Sequence, residues 1–259
     1  MKIGFFDSGV AGLAVIGQLQ RVLASHDMVY FADTAHFPYG IKSPAAVAGH
    51  LVKGLGWLVD QGCQRIGIVC GSASSVIQWV PETKVPLIDI ITPAVGGAMA
   101  LSAGGRIGVL ASRMAVETRV FDRLIKPNRP GACVSQAAAP LLAALVMEGW
   151  YRRPEARRVI KKYLYPLKRS QIDTLIVATS HGLIVSRQIR EKIGRRVNVV
   201  DTGRSFIERM TADLPGSLPA RSPEPSCLEC WLTDTNDHFK KMGAAFYKGR
   251  IIVRQAPGL

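Results

Sequence analysis

Residues 65–74 read Arg65-Ile66-Gly67-Ile68-Val69-Cys70-Gly71-Ser72-Ala73-Ser74. Ile66 to Val69 is short, apolar and β-branched, which is the composition of a buried strand. The run stops at a cysteine and turns through Gly71 and small hydroxyl residues toward Val76-Ile77. In an open parallel sheet, ligands bind at the carboxyl ends of the strands. A helix starting at Ser72 aims its free amides at that same point, and such a field lowers a thiol's pKa. Set against this, cysteine is more often a small buried filler than a reactive group.

A second stretch repeats the pattern. Asp173-Thr174-Leu175-Ile176-Val177-Ala178-Thr179-Ser180-His181-Gly182 is again a buried run breaking into a polar turn, with Thr179 where Cys70 stood. Two such turns predict two similar halves facing one cleft.

The rest of the chain alternates in the same way. Strands are expected at 2–6, 28–32, 66–69, 87–90, 106–110, 133–136, 174–178, 197–200, 231–233 and 250–253. Helices are expected at 11–23, 44–61, 93–102, 114–125, 140–147, 154–169, 184–192, 204–213 and 237–247. Several open at proline, which suits a first helical turn. This alternation is the α/β signature of parallel sheets flanked by helices. Ile91-Thr92-Pro93-Ala94-Val95-Gly96-Gly97 and Asp201-Thr202-Gly203 read as crossings between domains. The expectation is a discontinuous first α/β domain, 1–93 plus 204–259, and a second, 94–203, with the site in the cleft between them. The prolines and glycine within 215–226 read as a loop.

The 259 residues are 48% hydrophobic, enough for one large domain or two small ones. No apolar run reaches the ~18 residues that span a bilayer. Met1-Lys2-Ile3-Gly4-Phe5-Phe6-Asp7 reads as a strand and not a secretory leader, so a cytoplasmic protein is expected. Five scattered cysteines, an odd count, do not form a disulfide framework. Cys227 and Cys230 make a lone C-x-x-C with no second pair or nearby histidines, so no metal site is expected there.

The formal charge is +14. Basic residues concentrate at Arg152-Arg153, Arg157-Arg158, Lys161-Lys162, Lys168-Arg169 and Arg195-Arg196. The helical spacing of the group from 152 to 169 reads as a solvated face. No nucleic-acid motif accompanies it, and nucleic acid is not an expected partner.

Two further turns carry functional groups. Asp7-Ser8-Gly9-Val10-Ala11-Gly12 places a carboxylate, a hydroxyl and two glycines where the first strand gives way to a helix. Glycines there let backbone amides approach an anion, but the spacing is neither the dinucleotide G-x-G-x-x-G nor a Walker loop. Phe31-Ala32-Asp33-Thr34-Ala35-His36-Phe37-Pro38-Tyr39-Gly40 follows the second strand and ends in a rigid turn at Pro38-Tyr39-Gly40.

Together these turns resemble those of glutamate racemase, in the cofactor-independent aspartate/glutamate racemase superfamily. The resemblance rests on Phe6-Asp7-Ser8-Gly9, Phe31-Ala32-Asp33-Thr34, Pro38-Tyr39-Gly40 with Lys42-Ser43-Pro44, and Val69-Cys70. It continues through Gly108-Val109-Leu110-Ala111-Ser112, Glu148-Gly149-Trp150, Ser180-His181 and Asp201-Thr202-Gly203, in the family's order. It implies two α/β domains and a small acidic amino acid, glutamate or aspartate, held between them. It also implies no cofactor and no metal, and an assembly that is often a homodimer. In that family one cysteine removes the α-proton, and a second returns a proton from the opposite face. D-glutamate then supplies peptidoglycan of the cell wall.

Carried over by residue, Cys70 matches the first catalytic cysteine, and Asp7 and His181 match the groups that assist the two thiols. Ser8, Pro38, Tyr39, Gly40, Ser72 and Ser180 match substrate-holding positions. Gly71 stands where the family has asparagine, Thr179 where it has the second cysteine, Met147 where it usually has glutamate, and Gly182-Leu183 where it has Tyr-Pro. With one thiol of the pair present, two alternatives to racemisation stay open. One is a one-thiol enzyme such as a decarboxylase. The other is a descendant that binds a small acid or a protein without turnover.

Overall fold

The computed structural model describes residues 1–20, 22–23, 25–212, 214 and 227–257. The loop expected at 215–226 lies outside the described residues. Among the described residues ten strands are present: β1 (Lys2–Asp7), β2 (Asp27–Ala32), β3 (Arg65–Ile68), β4 (Leu87–Asp89), β5 (Arg106–Ala111), β6 (Cys133–Ala138), β7 (Thr174–Val177), β8 (Asn198–Val199), β9 (Leu228–Leu232) and β10 (Ile251–Gln255). The helices are α1 (Leu13–Leu19), α2 (Pro44–Asp60), α3 (Gly71–Ser74), α4 (Ile91–Leu101), α5 (Arg113–Glu117), α6 (Val120–Ile125), α7 (Leu141–Met147), α8 (Pro154–Arg169), α9 (Ser180–Ile184), α10 (Ser186–Ile193), α11 (Thr202–Thr211) and α12 (Asp237–Phe246).

The strands form two sheets, in the orders β10-β9-β2-β1-β3-β4 and β6-β5-β7-β8. Every neighbouring pair is parallel. The α/β class expected from the alternation is therefore the observed one. The order β2-β1-β3-β4 repeats as β6-β5-β7-β8, so the two halves are wound alike. In each, the chain leaves the first strand on one side and returns on the other, which opens a crevice at the carboxyl ends.

Parallel strands covered on both faces should be apolar, and the central strands β1, β3, β5 and β7 are so over nearly their whole length, while the outer strands β6, β8 and β10 are half-exposed. Ile3 and Phe5 of β1 face a central core, while Phe6 faces the core under α2. In the second half, Ile107, Val109 and Ile176 share that central core, while Leu110, Leu175 and Val177 face a third core under α8 and α10. The central core thus runs between the two sheets and holds their strand ends near one another.

Local signals set most element boundaries. Ser43 accepts a hydrogen bond from the Ala46 amide (3.3 Å), and Pro44 occupies the first turn of α2. Helix α8 buries Ala156, Ile160, Leu164 and Leu167, one face at helical spacing, and turns its charged residues outward. One expectation changes. The single helix expected over 114–125 is two, α5 and α6, because Arg119 adopts the left-handed region (φ 53°) and breaks the hydrogen-bonding run. Helix α4, which contains Ile91 to Gly97, connects β4 of one sheet to β5 of the other, with Pro93 in its first turn where no amide donor is needed.

Leu164 is fully buried in the third core. Leu164→Ala is expected to lower unfolding free energy by about 2–5 kcal/mol, through lost burial and a residual cavity. Urea denaturation of the two proteins measures it.

Candidate functional site

The two third strands, β3 and β7, end at the same level of their sheets. The Val69 amide donates to the Phe6 carbonyl (3.0 Å), and the Ala178 amide donates to the Leu110 carbonyl (2.9 Å). The next residues are Cys70 and Thr179, and both line one cleft between the sheets. Ser8, Pro38, Tyr39, Gly40, Gly71, Ser72, Ser180 and His181 line it too.

Asp7 does not reach the cleft surface. It lies behind Cys70, 2% exposed, and accepts hydrogen bonds from the amides of Ser8 (2.8 Å) and Gly12 (2.7 Å) and from the Tyr30 hydroxyl (2.7 Å). Burial raises its carboxyl pKa, and these three bonds pull against the rise. Gly12 is required here, since a Cβ would stand 2.5 Å from Val69 and 2.8 Å from the Asp7 carboxylate.

Cys70 is 5% exposed, and its Sγ lies 3.4 Å from the Ser8 hydroxyl. The sequence predicts a thiol acidified by a helix terminus. The structure reverses that. Burial first, and then the neighbouring Asp7, push the thiol up to about 12. Helix α3 has only four residues, too short a dipole to offset desolvation. At neutral pH the thiol of the empty cleft is protonated.

Gly71 sits at the closest approach of the two halves. A Cβ there would meet the Ala178 carbonyl oxygen at 2.2 Å and the Thr179 Cα at 3.5 Å. Across the same seam the hydroxyls of Ser72 and Ser112 are 2.8 Å apart. The sequence reading passed over Ser112 as a site residue. It follows β5 as Ser8 follows β1, so the internal repeat is the signal that locates it. Phe37, Ile41, Ala139 and Pro140 complete an apolar wall; nothing in their own residue types marks them.

On the far side, Ser180 opens α9 and is 3% exposed. His181 is buried beside the Phe37 ring, centroids 5.9 Å apart. Its Nε2 is buried without a hydrogen-bond partner. Burial lowers its pKa to about 4, so the imidazole is neutral. Met147, at the end of α7, packs partly buried against the central core.

The Pro38-Tyr39-Gly40 turn is anchored from behind. The Tyr39 hydroxyl donates to Asp33 (2.5 Å), as does that of Thr233 (2.8 Å), and His36 Nδ1 lies 2.8 Å away. Asp33, His36 and His50 also bring three ligand-type atoms within 4.8 Å of one another. The two imidazoles stack with centroids 3.9 Å apart over the buried Asp33 carboxylate, and the cluster braces the turn from behind.

A pair of alike parallel sheets, with a thiol at one strand tip and a hydroxyl and imidazole at the equivalent tip, defines a protein that handles a small molecule between its halves. Comparison with known proteins narrows this. Residues 3–210 match the Asp/Glu/Hydantoin racemase family. The chain is 30% identical over 253 residues to the glutamate racemase of Geobacter metallireducens, covering 96% of this chain and 93% of that one. The structure of the glutamate racemase from Aquifex pyrophilus superposes with a TM-score of 0.82 at 30% identity, covering 100% of this chain and 99% of that one. That of the Francisella tularensis glutamate racemase in complex with D-glutamate gives 0.86 at 25% identity, over 98% and 96%. The chain belongs to the Asp/Glu/Hydantoin racemase family. Among the described residues, no helix is long and apolar enough to cross a membrane.

Two outcomes are expected. Gly71→Ala should destabilise the fold by about 1–3 kcal/mol, because the contacted atom is backbone and cannot swing aside; denaturant unfolding measures it. His181 titrates at about 4 folded against 6.5 for the free side chain. The unfolded chain therefore binds the extra proton between those values, and stability falls as pH drops through that window. His181→Asn should remove roughly 3 kcal/mol of that loss, read from urea unfolding at pH 7 and pH 4.

Proposed function

We propose that the chain is a cofactor-independent amino-acid racemase of the glutamate racemase type, interconverting L- and D-glutamate. The observation that carries this is the pairing of Cys70 and Thr179 at equivalent strand ends on one cleft. The ten cleft-lining residues anticipated from the sequence take their roles from that pairing.

Cys70 serves one face of the α-carbon. Its thiol is neutral in the empty cleft, and the ammonium of a bound zwitterion lowers the cost of the thiolate. Asp7, held by Tyr30 and Gly12, lies behind the thiol as its positioning partner. Ser8, Ser72 and Ser180 offer hydroxyls to carboxylates, with the backbone of Pro38-Tyr39-Gly40 and Gly71 closing the walls. The α-carbanion needs such pre-placed donors, since the α-proton is very weakly acidic.

Thr179 stands in place of the second thiol on the opposite face. An aliphatic hydroxyl is a poor proton carrier without a base beside it. The neutral His181, with its Nε2 unpartnered, supplies that base. The second half-reaction is accordingly slow, so α-hydrogen exchange on the face served by Cys70 outruns inversion. The family role carries over as D-glutamate supply for peptidoglycan in the cytoplasm. One-thiol chemistry without inversion is the second reading, and the absence of a thiol at position 179 favours it.

The test is incubation with each glutamate enantiomer in heavy water, following α-hydrogen exchange by NMR and inversion by optical rotation. Exchange should vanish in Cys70→Ala. Thr179→Cys should speed inversion by roughly 10²–10⁴-fold, the contribution of a positioned acid–base group. Exchange that survives in Cys70→Ala, or a wild type inert toward both enantiomers, rejects the proposal. Exchange of one enantiomer with no inversion selects the one-thiol reading.

A further inference from the structure

The positive charge of this chain does not serve the cleft. Among the described residues, none that lines the cleft is a lysine or arginine. Of the 33 basic residues, 13 fall between residues 152 and 196, beside only three of the 19 acids. The fold gathers them. Helices α8 and α10 pack against each other over the third core, and Lys168 Nζ donates to the Lys192 carbonyl across their seam (3.2 Å). Arg157, Arg158, Lys161, Lys162, Lys168 and Arg169 all point to solvent from α8, and Arg190, Arg195 and Arg196 are exposed on and after α10.

The three acids do little to neutralise this face. Asp173 is occupied by the Ser102 hydroxyl (2.5 Å) and the Gly104 amide (2.9 Å). Glu191 pairs with Arg187 at 3.0 Å. Glu155 is left in the first turn of α8. A solvated face, the reading from sequence, ordinarily interleaves both signs; this one does not.

We propose that the α8–α10 face binds duplex nucleic acid through its phosphate backbone, independently of base sequence. A duplex carries one charge per ~1.7 Å, so the ~24 Å length of α8 matches on the order of 14 phosphates. Cations spaced along a helix suit that periodic target. An anionic membrane fits less well, because an interfacial helix keeps an apolar face for the acyl layer. Here the aliphatic stripe of α8, Ala156, Ile160, Leu164 and Leu167, is buried under the sheet. Among the described residues of this face the exposed aromatics are only two, Tyr165, which carries a polar hydroxyl, and Trp150, which the Arg153 guanidinium overlies at 4.7 Å, and two separate rings do not make a continuous apolar face. The face lies apart from the cleft, so this binding stands or falls separately from racemisation.

Fluorescence anisotropy with labelled duplex DNA tests it. Saturable binding is expected at about 50 mM salt, with log Kobs falling against log salt at a slope of about −5, as for six neutralised phosphates. The combined variant R157E/R158E/K161E/K162E should bind at least ~10-fold more weakly. A control with the same charge change elsewhere, K84E/K241E/K248E/R250E, should stay within about threefold of wild type. If circular dichroism shows the first set unfolded, the alanine set at those positions carries the comparison. No saturable binding at low salt overturns the proposal. So does equal weakening in both variants, which would mean net charge without a face. Capture by phosphatidylserine vesicles with none by DNA assigns the face to a membrane and overturns it too.

Discussion

Everything at the cleft depends on how closely the Gly71 backbone can approach the Ala178 carbonyl. A Cβ at 2.2 Å from that oxygen cannot exist, so the seam closes only around a residue without one. Closure brings the tips of β3 and β7 together, lets Ser72 reach Ser112, and shuts Cys70 and His181 away from water. A larger residue would hold the halves apart, and the groups would lose both their proximity and their dryness.

Dryness has an electrostatic consequence. Among the described residues no lysine or arginine lines the cleft, and the hydrogen bonds that Ser8 and the Ala73 amide offer the thiol are outweighed by its burial and by Asp7. Both titratable groups sit neutral, the thiol pushed up to about 12 and the imidazole down to about 4. The charge that makes this pocket work has to arrive with the ligand. That is a sensible design for a zwitterion: the ammonium and carboxylate bring the field, and hydroxyls and amides orient it. The chain's own surplus of cations stays on the outside of the second half, where it meets solvent or a polyanion.

Much of the architecture was legible beforehand. The central strands fall close to their expected positions, because strands buried on both faces must be apolar, as Ile66 to Val69 and Leu175 to Ala178 are; the strand expected at 231–233 begins earlier, at Leu228, since Glu229 interrupts its apolar run. The helix of residues 154–169 matched end to end, since proline, charge periodicity and a stripe of four apolar residues all agree there. Arg119 misled, because a left-handed arginine is not written in local propensity and is enforced by the packing of α5 and α6. Ser112 was quoted within a motif and passed over, since a lone serine after a strand carries no signal until the two halves are seen to repeat. Phe37 and Pro140 were invisible for a plainer reason: apolar residues line walls and cores alike.

Residue type and order alone established the α/β class, the two alike turns, and a cysteine at one turn with a threonine at the other. These are local properties, set by which side chains follow which strand. The protonation of Cys70, the seclusion of Asp7 behind it, the unpartnered imidazole and the gathering of cations on one face arose only when distant segments met. Desolvation and Coulomb fields depend on what surrounds a group in space, and neighbours far apart along the chain, such as Phe37 and His181, do not announce themselves in it.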